Sequence, residues 1–365
     1  MISRRVPSDF EPNAISRAIA ARRSGEILDL TETNPTRVGL PVPPESAWRR
    51  LIEGARAPYA PEPLGTHEAR AAVSAYYGGL VPADHIALTA STSEAYAHLF
   101  RILGDPGDRF LVPEPSYPLF GPLAALEGVE LEPYPLRYAQ GRWRVDLDAL
   151  VSARALIVVQ PNNPTGSLLD EQEMRAIESF CAENGAALIS DEVFADFATR
   201  EARFAGRDAC LTFALAGLSK TCGLPQAKLA WIACSGPGAA PALAALEWSC
   251  DAFLSVSQGI QRAAPALLAA RHPFIEATRA RLAENLRALA PLEPLSWEGG
   301  WSAVLRAPAT RSDEEWTLAL LERGVLVQPG HFFDFADEHH LVVSLLPEPA
   351  IFLEGVRRIA GSFSS

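Results

Sequence analysis

A single lysine closes a largely apolar stretch of the chain. The run Leu211 to Leu218 leads into Ser219-Lys220-Thr221-Cys222-Gly223. It reads as a buried strand that delivers Lys220 into a turn of small residues. An ammonium at the mouth of a buried strand is poorly solvated, so its pKa falls. A neutral amine of this kind can condense with an aldehyde to a Schiff base. Taken alone, a lysine after a strand is most often an ordinary surface residue. What changes the reading is the set of residues at the other strand ends.

Ala90-Ser91-Thr92-Ser93-Glu94 joins a predicted strand to a predicted helix. Small hydroxyl residues at a helix start leave backbone N–H groups free for an anion such as a phosphate, although they also serve as plain caps. Pro115-Ser116-Tyr117-Pro118 offers a rigid aromatic ring for a flat heterocycle, or a core tyrosine under a loop. Pro161-Asn162-Asn163-Pro164-Thr165-Gly166 holds two amides in a loop fixed by prolines. An amide N–H can donate to a phenolate or carboxylate. Ser190-Asp191-Glu192-Val193-Phe194 puts a carboxylate at a strand end, where it can keep a pyridine nitrogen protonated.

These fragments occur in one order at successive strand ends, and together they resemble the fold-type I, class I/II aminotransferases, which bind pyridoxal 5′-phosphate (PLP). The resemblance covers nearly the whole chain. It implies that Lys220 is the Schiff-base lysine and the acid/base of the proton shift. It further implies that Asp191 pairs with the pyridine nitrogen, Asn163 donates to the ring O3′, and Tyr117 stacks on the ring. Thr92 and Ser93 resemble the phosphate cradle. Tyr59 resembles a tyrosine that reaches a neighbouring subunit's phosphate, which implies a homodimer with its sites at the interface. Phe253-Leu254-Ser255-Val256-Ser257 resembles a stretch that approaches the partner's site. The implied substrates are a small amino donor and an oxo-acid acceptor.

Four positions depart from the family pattern. Phe194 stands where a tyrosine often bonds O3′, which leaves Asn163 alone in that role. Gly217 replaces a phosphate-binding serine, with Ser219 as the substitute. Lys228 replaces a phosphate-binding arginine, keeping the charge but losing the two-pronged fork. Val342 stands at the position of the arginine that binds the substrate carboxylate. Asn34 and Arg37, in the arm segment Asn34-Pro35-Thr36-Arg37, are the alternative candidates for substrate binding. The departures keep open another PLP chemistry on the same residues, a lyase, decarboxylase or cyclase. A non-catalytic PLP-fold binding protein is the remote reading.

The elements that must position these residues follow from the pattern. Short apolar runs alternate with helical stretches from residue 86 to about 234, predicting an α/β fold with a mostly parallel sheet flanked by helices. Ligands on such sheets bind beyond the strands' carboxyl ends. The expected division is a large PLP-binding domain over 46–264 and a smaller α+β domain made of 1–45 and 265–365. Expected helices include Ala14 to Arg23, Asp146 to Val151 and His67 to Tyr77, the last capped by Thr66. With 365 residues and 48% hydrophobic content, the chain is large enough for two cores. The net charge of −12 argues against nucleic acid and anionic membrane as partners. Five cysteines, none in a CxxC pair, fit reduced thiols. Met1 to Asp9 has no apolar signal core, so a cytoplasmic location is the expectation.

Overall fold

The computed structural model describes residues 2–22 and 27–364. Its centre is an eight-stranded sheet. The strands are β1 (Ile86–Thr89), β2 (Arg109–Glu114), β3 (Glu130–Ala139), β4 (Arg142–Val145), β5 (Ala155–Val159), β6 (Ala187–Asp191), β7 (Thr212–Gly217) and β8 (Ala230–Ser235). They lie in the order β1-β8-β7-β6-β5-β2-β3-β4. β8 runs against β1 and β7, and β4 returns against β3 as a hairpin. The remaining pairs are parallel.

β5, β6 and β7 are buried along their whole length, as near-continuous apolar runs in a parallel sheet require. Alternation along each strand divides their side chains between two faces. Ile157, Ile189 and Leu215 meet Tyr96, Leu99 and Phe100 of the Thr92–Leu103 helix on one face. On the other, Leu156, Val158 and Leu188 meet Met174, Ile177 and Cys181 of the Glu171–Asn184 helix. That second helix starts in a capping box between Asp170 and Glu173.

The N-terminal arm joins the C-terminal segment. Leu28–Asp29 pairs in parallel with Val325–Leu326. Leu28, Leu30 and Val38 share a core with Leu320, Val343, Phe352 and Val356. Ser302–Arg306 and Gln328–Pro329 flank His340–Ser344 in a separate antiparallel sheet.

Several local expectations change. The stretch Asp146 to Val151 forms one 3₁₀ turn, Leu147–Ala149, not a helix. Trp143 lies on β4, not in an irregular insert. Thr66 sits at the start of the His67–Tyr76 helix, but its side chain makes no capping bond. The first helix spans Ala14–Ala21, and its expected end at Arg23 lies outside the described residues. Two helices that the pattern did not announce, Ala239–Asp251 and Gln258–Ala269, pack on the sheet. Among the described residues, the five cysteines are free thiols and no helix is long and apolar enough to cross a membrane.

Candidate active site

The carboxyl ends of β1, β2, β5, β6 and β7 send residues to one cavity of ≈ 350 Å³. Thr92, Ser93, Tyr117, Asn163, Asp191, Ser219 and Lys220 all line it. Seven of the residues singled out in the sequence are therefore brought together from the ends of five strands.

Lys220 lies on the short Leu218–Thr221 helix that follows β7. Buried Leu218 anchors that turn, donating its N–H to Leu229 (3.0 Å) and accepting from the N–H of Leu224 (3.0 Å). Lys220 keeps some accessible surface only because it lines the cavity. Burial pulls its pKa down from 10.5 to about 8, against the opposing charge of Asp191. Its Nζ lies 4.8 Å from the ring centre of Trp301 and 5.6 Å from that of Phe194.

Asp191 ends β6 and is buried. Its carboxylate accepts the Tyr96 hydroxyl at 3.0 Å and the Val193 N–H at 3.2 Å. Desolvation pushes its pKa up to about 6; the Val193 and Tyr96 hydrogen bonds and the Lys220 charge pull the other way. An acid and an amine thus face one space from adjacent strands.

The flanking residues are fixed by their own bonds. Asn162 is structural: its Nδ2 donates to the Pro115 carbonyl (3.1 Å) and to Thr165 (2.9 Å), tying the β2 and β5 loops together. Asn163 turns the other way, into the cavity, with its Oδ1 accepting from Ser302 at 3.3 Å. Tyr117 lines the cavity with Ser93, and burial raises its phenol pKa. Ser91 caps the Thr92–Leu103 helix by accepting from the Glu94 N–H at 3.1 Å. The N–H groups of Thr92 and Ser93, in the first turn, have no partner inside the helix.

Four expected site residues lie outside the cavity lining: Asn34, Arg37, Tyr59 and Lys228. The Asn34 side chain caps its own turn by accepting from Thr36, though its neighbour Thr33 lines the cavity. The Arg37 side chain is 73% exposed and sits 3.6 Å from Glu32. Tyr59 and Lys228 line a second, larger groove of ≈ 790 Å³ with Leu254, Ser255 and Ser257. That groove is lined by Glu62 and Lys228, whereas the smaller cavity gathers Lys220 and the buried Asp191 with five further residues singled out in the sequence. Val342 is buried against Trp143, Val304 and Phe333. Tyr96 and Ser302 were not read from the sequence. Tyr96 was within reach, since it sits one turn beyond Thr92 on the same helix face.

Residues 26–349 match the family model described as aminotransferase class I and II. The chain belongs to this family. It is 31% identical to an alanine aminotransferase of Mycobacterium bovis over 241 residues, which cover 60% of this chain and 54% of that one. It is 28% identical to human tyrosine aminotransferase over 222 residues, covering 56% of this chain and 48% of that one. The match thus spans about half the length of these curated relatives. Among solved structures, alanine aminotransferase from Pyrococcus furiosus shares the fold over 100% of both chains, with a TM-score of 0.88 at 22% identity.

Aminotransferases of this class use PLP, and the cavity residues suit that group. The unpaired N–H groups and hydroxyls of Thr92 and Ser93 suit a phosphate. Asp191, a buried carboxylate on the cavity lining, suits a protonated ring nitrogen. Lys220, an amine of lowered pKa, suits the aldehyde.

Proposed function

We propose that the protein is a PLP-dependent aminotransferase that moves an amino group from an amino acid or amine to an oxo acid. The observation that carries this reading is the convergence of Lys220 and Asp191 on one cavity. When bound, PLP withdraws electrons from bonds at the substrate carbon it is attached to. Lys220 is the residue that holds the aldehyde and, once freed, takes a proton from the substrate and returns it. A pKa near 8 leaves a usable neutral fraction of the amine at neutral pH. Asp191 holds the ring-nitrogen proton, with Tyr96 and Val193 fixing its oxygens. Asn163 donates to the ring oxygen and Tyr117 covers the ring face. Thr92, Ser93 and Ser219 hold the phosphate, with Lys228 adding charge.

The same reading divides the chain into a large domain, 46–264, and a small one of 1–45 with 265–365. The pairing of Leu28 with Val325 supports it. We read the protein as a cytoplasmic homodimer in which Tyr59 of each copy serves the other's phosphate. Tyr59 is 77% exposed on its own chain, which supports that role. Asn34 and Arg37 are our candidates for binding the substrate.

A second reading keeps PLP and changes the reaction to a lyase, decarboxylase or cyclase. It is favoured by the absence, among the described residues lining the cavity, of any arginine for a substrate carboxylate. A non-catalytic binding protein is disfavoured by Lys220, Asp191 and Asn163 standing together.

The test is a visible spectrum of the purified protein with PLP, followed by a panel of amino acids and amines. We expect a lysine-bound cofactor band that bleaches with release of an oxo product, and no band in Lys220→Ala. No band in the wild type after adding PLP would sink the Lys220 role. A band that bleaches with release of carbon dioxide or an eliminated group would favour the second reading.

A further inference from the structure

Burial alone would leave the free amine of Lys220 a poor host for its proton. Two things oppose it. One is the charge of Asp191, which helps the amine keep its proton. The hydroxyls of Tyr96 and Tyr117 hold their protons more tightly than a free phenol and bring no charge. The other is aromatic. Trp301 presents its ring 4.8 Å from Nζ, inside the range where an ammonium is attracted to an indole face. Phe194 lies 5.6 Å away.

We propose that Trp301, assisted by Phe194, is a positioning residue: a perch that draws the protonated Nζ of Lys220 over its ring whenever that amine is free. A perch must be rigid, and this one is. Phe194, Phe197 and Phe274 surround the indole, with ring centres 5.4, 5.2 and 6.5 Å away. The Trp301 carbonyl accepts the Leu345 N–H at 2.7 Å. The chain just before it is clamped, since a β-carbon on Gly299 would lie 2.6 Å from Pro161 and 2.9 Å from Ala198. The indole therefore cannot withdraw from the amine without disturbing the loop that carries Asn163. An amine parked there stays on the cavity wall, between release and recapture, instead of swinging into the space a substrate needs.

The perch rests on Lys220 being the working amine, but its test needs no cofactor. Of the 32 lysines and arginines, only Lys220 and Lys228 are lysine. Protein carrying ¹³C at the lysine ε-carbon thus gives two side-chain titrations, and Lys228→Arg assigns them. The titration is followed by NMR on the full, cofactor-free chain. Tryptophan is then replaced biosynthetically by fluorinated tryptophans, which keep the ring's size but weaken its negative face. We expect the Lys220 midpoint to fall stepwise, by roughly 0.5–1 pH unit in total, with Lys228 unmoved. An unmoved Lys220 midpoint overturns the perch. Trp301→Leu separates the two roles by sign. Loss of a perch lowers the midpoint, whereas loss of a mere water-excluding wall admits solvent and raises it. A rise overturns the proposal. A fluorination shift without transaminase activity would uphold the perch while striking the functional reading.

Discussion

Gly217 and Ala230 face each other across the β7–β8 ladder with no room for a second side chain. A β-carbon on Gly217 would lie 2.8 Å from that of Ala230 and 3.1 Å from the Leu229 carbonyl. The backbone at Gly217 is extended, with φ of −177°, so space and not torsion demands the glycine. This explains the missing serine three residues before Lys220. The position is closed by its partner strand, and Ser219 is the hydroxyl that remains on the cavity.

Gly217→Ser alone should therefore cost roughly 1–3 kcal/mol, the usual penalty for overpacking a closed site. Adding Ala230→Gly should return much of that loss, less the ~0.5–1 kcal/mol that a strand glycine forfeits. Urea unfolding of the two single variants and the double variant measures the coupling. A single variant as stable as the wild type would show that the ladder yields, and the steric account would be wrong.

The lowered pKa of Lys220 makes the cofactor-free fold sensitive to pH. Its folded value, about 8, lies below the ordinary lysine value of 10.5. Between those values the unfolded chain binds more protons than the folded one, so this group makes stability rise with pH across that window. Asp191 acts in a lower window. Its folded value of about 6 exceeds 3.8, so between them the folded chain holds the extra proton and stability falls as pH rises. Lys220→Met should then be more stable than the wild type near neutral pH, on the order of 1–3 kcal/mol. That advantage should shrink as pH rises past 8 towards 10.5. Thermal unfolding of both proteins over this range decides it, and an advantage that grows with pH would reverse the assigned sign.

The parts that were legible in the sequence share a cause. β1 and β5 were readable to the residue because each is a short, mostly apolar run bounded by polar residues or a turn. Lys220, Asp191, Asn163, Tyr117, Thr92 and Ser93 were readable because each lies at, or within four residues of, the end of a strand. The helices Ala239–Asp251 and Gln258–Ala269 were not, because Pro241, Gly259 and Pro265 mimic loop signals and packing on the sheet overrides them. Trp301 and Phe194 meet over Lys220 from segments more than 100 residues apart, and no local pattern records that. Arg37 was a candidate on charge alone, and its placement beside Glu32 depends on how the arm folds.

Gly166 offers a contrast between torsion and space. Its φ is +67°, and a β-carbon there would lie 2.5 Å from Trp297 Cδ1 and 2.8 Å from the Gly299 carbonyl. Gly185 has nearly the same backbone, φ +64°, but nothing within 4 Å of a β-carbon. Gly185→Ala should therefore cost about 1 kcal/mol, from torsion only. Gly166→Ala should cost roughly 2–4 kcal/mol and displace the Asn163 loop, weakening PLP retention as well. Equal costs for the two variants would mean that the Trp297 loop moves aside freely, and that it does not hold the Asn163 loop in place.

The place of Tyr59 gives the sharpest test of assembly. It lines a groove with Lys228 and Ser255, not the cavity of Lys220. If Tyr59 of each copy serves the other's phosphate, Tyr59→Ala damages the opposite site while Lys220→Ala damages its own. Each variant alone should then be nearly inactive at limiting PLP. In a hybrid dimer of the two, both lesions fall on one site and the other is intact. Random mixing should restore roughly one quarter of wild-type activity, since half of the dimers are hybrids with one working site each. Unfolding and refolding the variants together, then assaying oxo-acid formation, reads this directly. Activity no higher than the average of the two variants would place Tyr59 at its own chain's site or at none.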